Sequence, residues 1–130
     1  MHEIDKEWHM KKILFAEDDP VVRVVTSQML ERLGYEVTSS EDGDVALDVF
    51  LGDPHRFDLV LTDQNMPRCS GIELADKIAK ANPGIPVVLY SGFDLQREIP
   101  VSVSGFIMKP FTQKDLGELL GRIVASKTMR

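Results

Sequence analysis

Cysteine is nearly absent from these 130 residues; Cys69 stands alone. No internal disulfide can form, so a reducing compartment is the default and the fold must rest on its core. Cys69 itself reads as a loop thiol. No apolar run approaches the ~20 residues a membrane helix needs. The opening "MHEIDKEWHMKK" is charged and aperiodic, with no apolar signal core. The expected location is therefore cytoplasmic, without membrane insertion. Basic residues are in the minority, with 15 Lys and Arg against 21 Asp and Glu and a net charge of -6. Nucleic acid wants a basic surface, so no direct binding to it is expected. His2, His9 and His55 lack metal-ligand spacing and read as surface residues. Repeats, low-complexity tracts and interdomain linkers are missing, and no glycine-rich loop invites a flavin or dinucleotide.

What is present is a strict alternation. Short apolar runs, "KILFA" (12–16), "YEVTS" (35–39), "FDLVLT" (57–62), "IPVVLY" (85–90) and "SGFIM" (104–108), are separated by helix-period segments. Most of the runs are nearly continuous, as expected for strands covered on both faces. Val22, Val25, Met29 and Leu33 form one helical stripe, Val45, Ala46, Val49 and Phe50 a second, and Ile72, Ala75, Ile78 and Ala79 a third. Leu116, Leu119, Leu120, Ile123 and Val124 give the cleanest amphipathic pattern. Gly34 stands where a helix wants a left-handed residue after its end. "SGIE" (70–73) and "TQKD" (112–115) look like capped helix starts. Strand and helix alternating along a chain of single-domain length make an α/β fold, a parallel sheet with helices on both faces.

In such sheets ligands bind beyond the carboxyl ends of the strands. The first run ends in Glu17, Asp18 and Asp19, the third in Asp63, the fourth in Ser91 and the fifth in Lys109. Each residue alone has an ordinary explanation as a cap, a turn or a solvated side chain. Their arrival at one edge is harder to explain without chemistry. Two or three carboxylates suit Mg²⁺. An aspartate can be a nucleophile toward phosphorus, and a lysine can neutralise a transferring phosphoryl group. Asp19 divides from its neighbours, because Asp-Pro is a helix N-cap followed by its first residue.

At this point the chain resembles a family, the receiver domains of two-component response regulators. "ILFAEDDP" is similar to that family's first strand with its acidic pair. "DLVLTDQNMPRCSGIEL" resembles the phosphoacceptor segment, "VVLYSG" the fourth strand with its switch hydroxyl, and "GFIMKPF" the Lys-Pro segment. The resemblance implies a flavodoxin-like (βα)5 three-layer sandwich with a five-stranded parallel sheet of order 2-1-3-4-5. It implies that Asp63 accepts a phosphoryl group from the phosphohistidine of a histidine kinase or histidine phosphotransfer domain. The protein would act as a phosphorylation switch for a downstream protein that the residues do not name. It would be a signalling domain that assists its own phosphorylation rather than an enzyme. Glu17, Asp18, Asp63 and the Asn65 carbonyl would hold Mg²⁺, with Asp18 binding directly and the longer Glu17 through water. Lys109 would pair with the acceptor, Ser91 would move to the phosphoryl oxygen, and Phe106 would be the switch aromatic. A cis bond is implied between Lys109 and Pro110.

Residues 11–126 make up the expected receiver domain, 1–10 an extension or a cloning remnant, and 127–130 a tail. The unit would stand alone or belong to a hybrid kinase. One departure from the family pattern is visible: only residues 92–108 separate Ser91 from Lys109. Pro100 disfavours helix at the residue before it, and "VSVSG" alternates as if extended. A fourth helix that is very short or missing is therefore predicted, which undercuts a dimer face built from it. Two other classes fit less well. A receiver-like module without phosphorylation would not need this acid, hydroxyl and lysine set. Phosphatases with an aspartate nucleophile typically use D-x-D after the first strand, and this chain has adjacent acids.

Overall fold

The computed structural model describes residues 10–128. Trp8, His2 and His9 lie outside them. Each apolar run folds as a strand: β1 Lys12–Ala16, β2 Glu36–Ser40, β3 Leu59–Asp63, β4 Val87–Ser91 and β5 Gly105–Met108. The helical segments become α1 Pro20–Arg32, α2 Gly43–Gly52, α3 Gly71–Ala81 and α4 Gln113–Thr128. The strands pair in parallel in the order β2-β1-β3-β4-β5, the expected 2-1-3-4-5. The last helix continues through Thr128, two residues beyond the expected end of the domain at 126. Among the described residues no helix is long and apolar enough to cross a membrane.

Alternate strand residues feed two cores, which explains why the runs are continuous rather than alternating. Leu14, Val60 and Leu89 pack with Ala46, Phe50, Leu74 and Ile78 of α2 and α3. Ile13, Phe15, Leu61, Val88 and Tyr90 pack with Leu30, Leu116 and Leu120 of α1 and α4. Each fully buried Val, Leu, Ile or Phe among them contributes roughly 1.5–3 kcal/mol. The expected stripe of α1 is rotated. Thr26 and Leu30 form its buried line, Met29 and Leu33 flank it, and Val25 is 46% exposed. The first turns of α1 are apolar nearly all round, so the expected stripe holds at Met29 and Leu33 and fails at Val25.

Capping sets where the helices begin. The Asp19 carboxylate accepts from the Val21 and Val22 N–H groups, with Pro20 as the first helical residue. Ser70 and Glu73 form a reciprocal capping box, and Thr112 and Asp115 exchange the same pair of bonds. Gly34 ends α1 at φ 98°, a conformation that side chains resist.

Between β4 and β5 the chain makes one 3-10 turn, Gln96–Glu98, and no α-helix. The predicted loss of the fourth helix is thus observed. Residues 101–102 form a turn rather than the extended segment expected there. Leu95, Ile99 and Val103 cover this part of the sheet and pack against the same core as Phe106.

Candidate functional site

The register decides what the strand ends bring together. Ala16 pairs with Thr62, so the next residues, Glu17 and Asp63, leave adjacent strands side by side. Asp63 pairs with Tyr90, and Ser91 with Met108, which carries Ser91 and Lys109 to the same edge. Glu17 and Asp63 are 1% and 4% exposed, while Asp18 is open to solvent. Oxygens of all three lie within 4.8 Å of one another.

Burial is the main influence on these acids. Desolvation raises the pKa of both Glu17 and Asp63 above the usual carboxylate range. Their mutual repulsion pushes Glu17 the same way, while its hydrogen bond from Tyr90 and the nearby Lys109 oppose the rise. The Lys109 ammonium sits 3.4 Å from Asp63 Oδ1 and 3.7 Å from Glu17 Oε1. One lysine between two buried carboxylates leaves excess negative charge. The donor set is all oxygen, with one open member, and it suits a hard divalent cation.

Neighbouring groups fix the acids in place. Glu17 Oε2 accepts the Asp19 N–H at 3.0 Å. The Arg23 guanidinium donates to the Glu17 carbonyl at 2.8 Å, tying α1 to the acidic loop. Beyond Asp63, the Gln64 N–H donates to the Tyr90 carbonyl at 3.0 Å and its side chain accepts from Ile72 N–H at 2.9 Å. Gly71 lets α3 approach, since a Cβ there would strike the Asp63 carbonyl. Farther along, Arg68, at φ 66°, pairs with Asp42 and Asp44. Cys69 lies in this loop as expected but is 1% exposed, against the Gly43 backbone.

The other anticipated residues are placed as follows. Asn65 is exposed, and its backbone N–H bonds the Asp63 carboxylate. Ser91 is fully buried, and its hydroxyl accepts the Phe93 N–H at 3.1 Å. Phe106 is half-buried and packs against the same core as Leu95 and Ile99. The Lys109–Pro110 bond is cis.

Sequence reasoning passed over Tyr90, Gln64 and Arg23. Tyr90 looked like one more apolar residue of the fourth run. It is fully buried between Phe15 and Phe111, with ring centroids at 6.0 and 5.8 Å. Its hydroxyl donates to Glu17 Oε1, and Lys109 Nζ lies over its ring at 4.7 Å. Burial and the Glu17 bond hold the phenol far above its ordinary pKa. The one signal in the sequence is a tyrosine, with a hydroxyl to satisfy, directly before Ser91 at the end of a continuous apolar run.

A family profile described as the response regulator receiver domain matches residues 13–121. The chain belongs to that family. It is a receiver domain of two-component signalling, and its acids sit where the sheet topology gathers them. It is 35% identical over 116 residues to the response regulator receiver protein CpdR of Brucella abortus, covering 82% of this chain and 91% of that protein. It is 34% identical over 110 residues to the transcriptional regulatory protein PdtaR of Mycobacterium tuberculosis, covering 82% of this chain. This receiver spans only 53% of PdtaR's length. Among solved structures, the response regulator TrrA of Thermotoga maritima, in complex with Mg²⁺-BeF, superposes with a TM-score of 0.78 at 30% identity, over 87% of this chain and 98% of that one.

Proposed function

We propose that Asp63 takes a phosphoryl group from the phosphohistidine of a histidine kinase or histidine phosphotransfer domain. In that transfer the P–N bond to histidine breaks and a P–O bond to an Asp63 oxygen forms. The observation that carries the reading is the pair of buried carboxylates, Glu17 and Asp63, joined by the open Asp18 within 4.8 Å. Glu17, Asp18, Asp63 and the Asn65 carbonyl would hold Mg²⁺, which offsets the charge of acids and phosphate and orients the donor. TrrA, solved with Mg²⁺-BeF, supports that choice of ion.

The chain's own residues do the rest. Asp63 is kept nearly dry and aimed along the end of β3, so its carboxylate is a defined nucleophile. Lys109, already 3.4 Å from Asp63, follows the charge as it moves onto the phosphoryl oxygens. Ser91, whose hydroxyl oxygen accepts the Phe93 N–H, swings to donate its own O–H to a phosphoryl oxygen, since the new group carries about two negative charges and strong acceptors. That movement pulls on residues 92–104 and on Phe106, and a downstream protein reads the altered surface. Residues 11–126 form the working unit, acting in the cytoplasm.

Incubation with Mg²⁺ and a small phosphodonor, followed by intact-protein mass spectrometry, tests the reading. The expected result is a gain of one phosphoryl group, absent in Asp63→Asn and in EDTA. No gain, or a gain that survives Asp63→Asn, would leave a receiver-like interaction module instead.

A further inference from the structure

Tyr90 has more contacts in the site than a core aromatic needs. A buried phenol wants one partner for its hydroxyl, and a backbone carbonyl would serve. Here the partner is Glu17 Oε1, the inner oxygen of an acid that is itself 1% exposed. The other oxygen is held by the Asp19 N–H at 3.0 Å. Glu17 is therefore clamped at both ends. Lys109 Nζ is 3.7 Å from the same Oε1, 3.4 Å from Asp63 Oδ1 and 4.7 Å over the Tyr90 ring. The ring is in turn wedged by Phe15 on β1 and Phe111 after β5, and Tyr90 pairs with Asp63 in the sheet. One side chain thus touches the acid, supports the ammonium and sits beside the acceptor.

We propose that Tyr90 is a positioning residue for the cation site: its hydroxyl fixes the Glu17 carboxylate toward Asp18 and Asp63, and its ring holds Lys109 at Asp63. The inference rests on the phosphoacceptor reading above and adds a residue to it. Without the hydroxyl, Glu17 Oε1 loses its hydrogen-bond donor and keeps the Lys109 ammonium at 3.7 Å. The acid is freed to turn away from Asp18 and Asp63. Hydrogen-bond partners behind a metal-binding carboxylate typically change affinity by 10–100-fold. Because the ring stays in Tyr90→Phe, the lysine platform is retained, so the two roles separate.

Titration calorimetry with Mg²⁺ on the whole chain is the test. Tyr90→Phe is expected to weaken Mg²⁺ about tenfold, at the low end of that range. Its phosphorylation rate at saturating Mg²⁺ should stay within about twofold of wild type. In a Glu17→Ala background the same substitution should change the affinity by less than about twofold, since its effect runs through Glu17. Melting curves with EDTA present show whether each variant is folded. Equal Mg²⁺ affinity in wild type and Tyr90→Phe overturns the role of Tyr90 and leaves the phosphoacceptor reading standing. An equal loss with and without Glu17 also overturns it. A wild-type chain that binds no Mg²⁺ overturns both.

Discussion

The centre of the sheet and its β5 edge are built to different standards. β3 and β4 are buried at every one of their five positions, whereas β5 is fully buried at none of its four. Glu17, Asp63 and Tyr90 belong to the centre, with aromatic rings on the Tyr90 side. Phe106, Lys109 and Met108 belong to the edge, where one 3-10 turn and the side chains of Leu95, Ile99 and Val103 replace a helix. Two close carboxylates repel, so they stay together only in a frame too stiff to let them part. A segment proposed to respond to a phosphoryl group needs the reverse, two arrangements of similar free energy. The fold supplies rigidity where charge is concentrated and thin cover where movement is proposed.

The strongest way to break this comparison is to cut one apolar side chain in each region. Leu89, on β4, is fully buried, and Leu89→Ala should lower stability by about 2–5 kcal/mol. Ile107, on β5, is half-buried, and Ile107→Ala should lose less than half as much. Urea unfolding of the two variants measures the difference. Equal losses would mean that the edge is as firmly built as the centre.

A second, smaller effect tests whether the loop leaving Asp63 belongs with the rigid half. Asp42 is 3% exposed, caps α2 by accepting the Val45 N–H at 2.8 Å, and pairs with Arg68 of that loop. Asp42→Ala should cost about 1–2 kcal/mol at neutral pH, the usual loss for a cap. The Val45 bond, and then Arg68, hold the Asp42 carboxyl below its ordinary value of 3.8. A lowered folded pKa means the contribution is present above pH 3.8 and fades as the pH falls through the folded value. Denaturation of wild type and variant at pH 7 and near pH 3 should show the gap closing. A gap that persists at low pH would mean that packing, not charge, holds the loop.

The same contrast separates what the sequence made legible from what it did not. Strand ends were readable because continuous apolar runs stop abruptly at Asp63 and Ser91, and the Asp19-Pro20 and Ser70-Glu73 pairs announce their helices. The missing helix was readable from Pro100 and the short span to Lys109. The face of α1 was not, because Val21, Val22, Val24 and Val25 satisfy several stripes at once and only packing chooses among them. Tyr90 stayed hidden for a related reason. In a strand covered on both faces, an aromatic that packs and an aromatic that also holds an acid look alike. The register that sets Tyr90 beside Asp63 exists only in three dimensions.

The smallest effect has the opposite sign and bears on the centre itself. Desolvation raises Asp63 above its ordinary 3.8, and Glu17 above 4.5. A raised carboxyl pKa means the folded chain binds more protons than the unfolded one between those values and the folded pKa. Stability therefore falls as the pH rises through that window. Above it, without a divalent cation, the charged Asp63 is a net burden on the fold. Asp63→Asn should then raise the melting temperature in EDTA at neutral pH, by less than Asp42→Ala lowers it. The advantage should shrink as the pH falls toward 3.8, and saturating Mg²⁺ should reverse it by binding the wild-type site. Thermal melts of both proteins, in EDTA and in Mg²⁺, provide the measurement. A variant less stable than wild type in EDTA would show that the Lys109 pair outweighs the burial of the acids, and that the centre is held together by its charges rather than in spite of them.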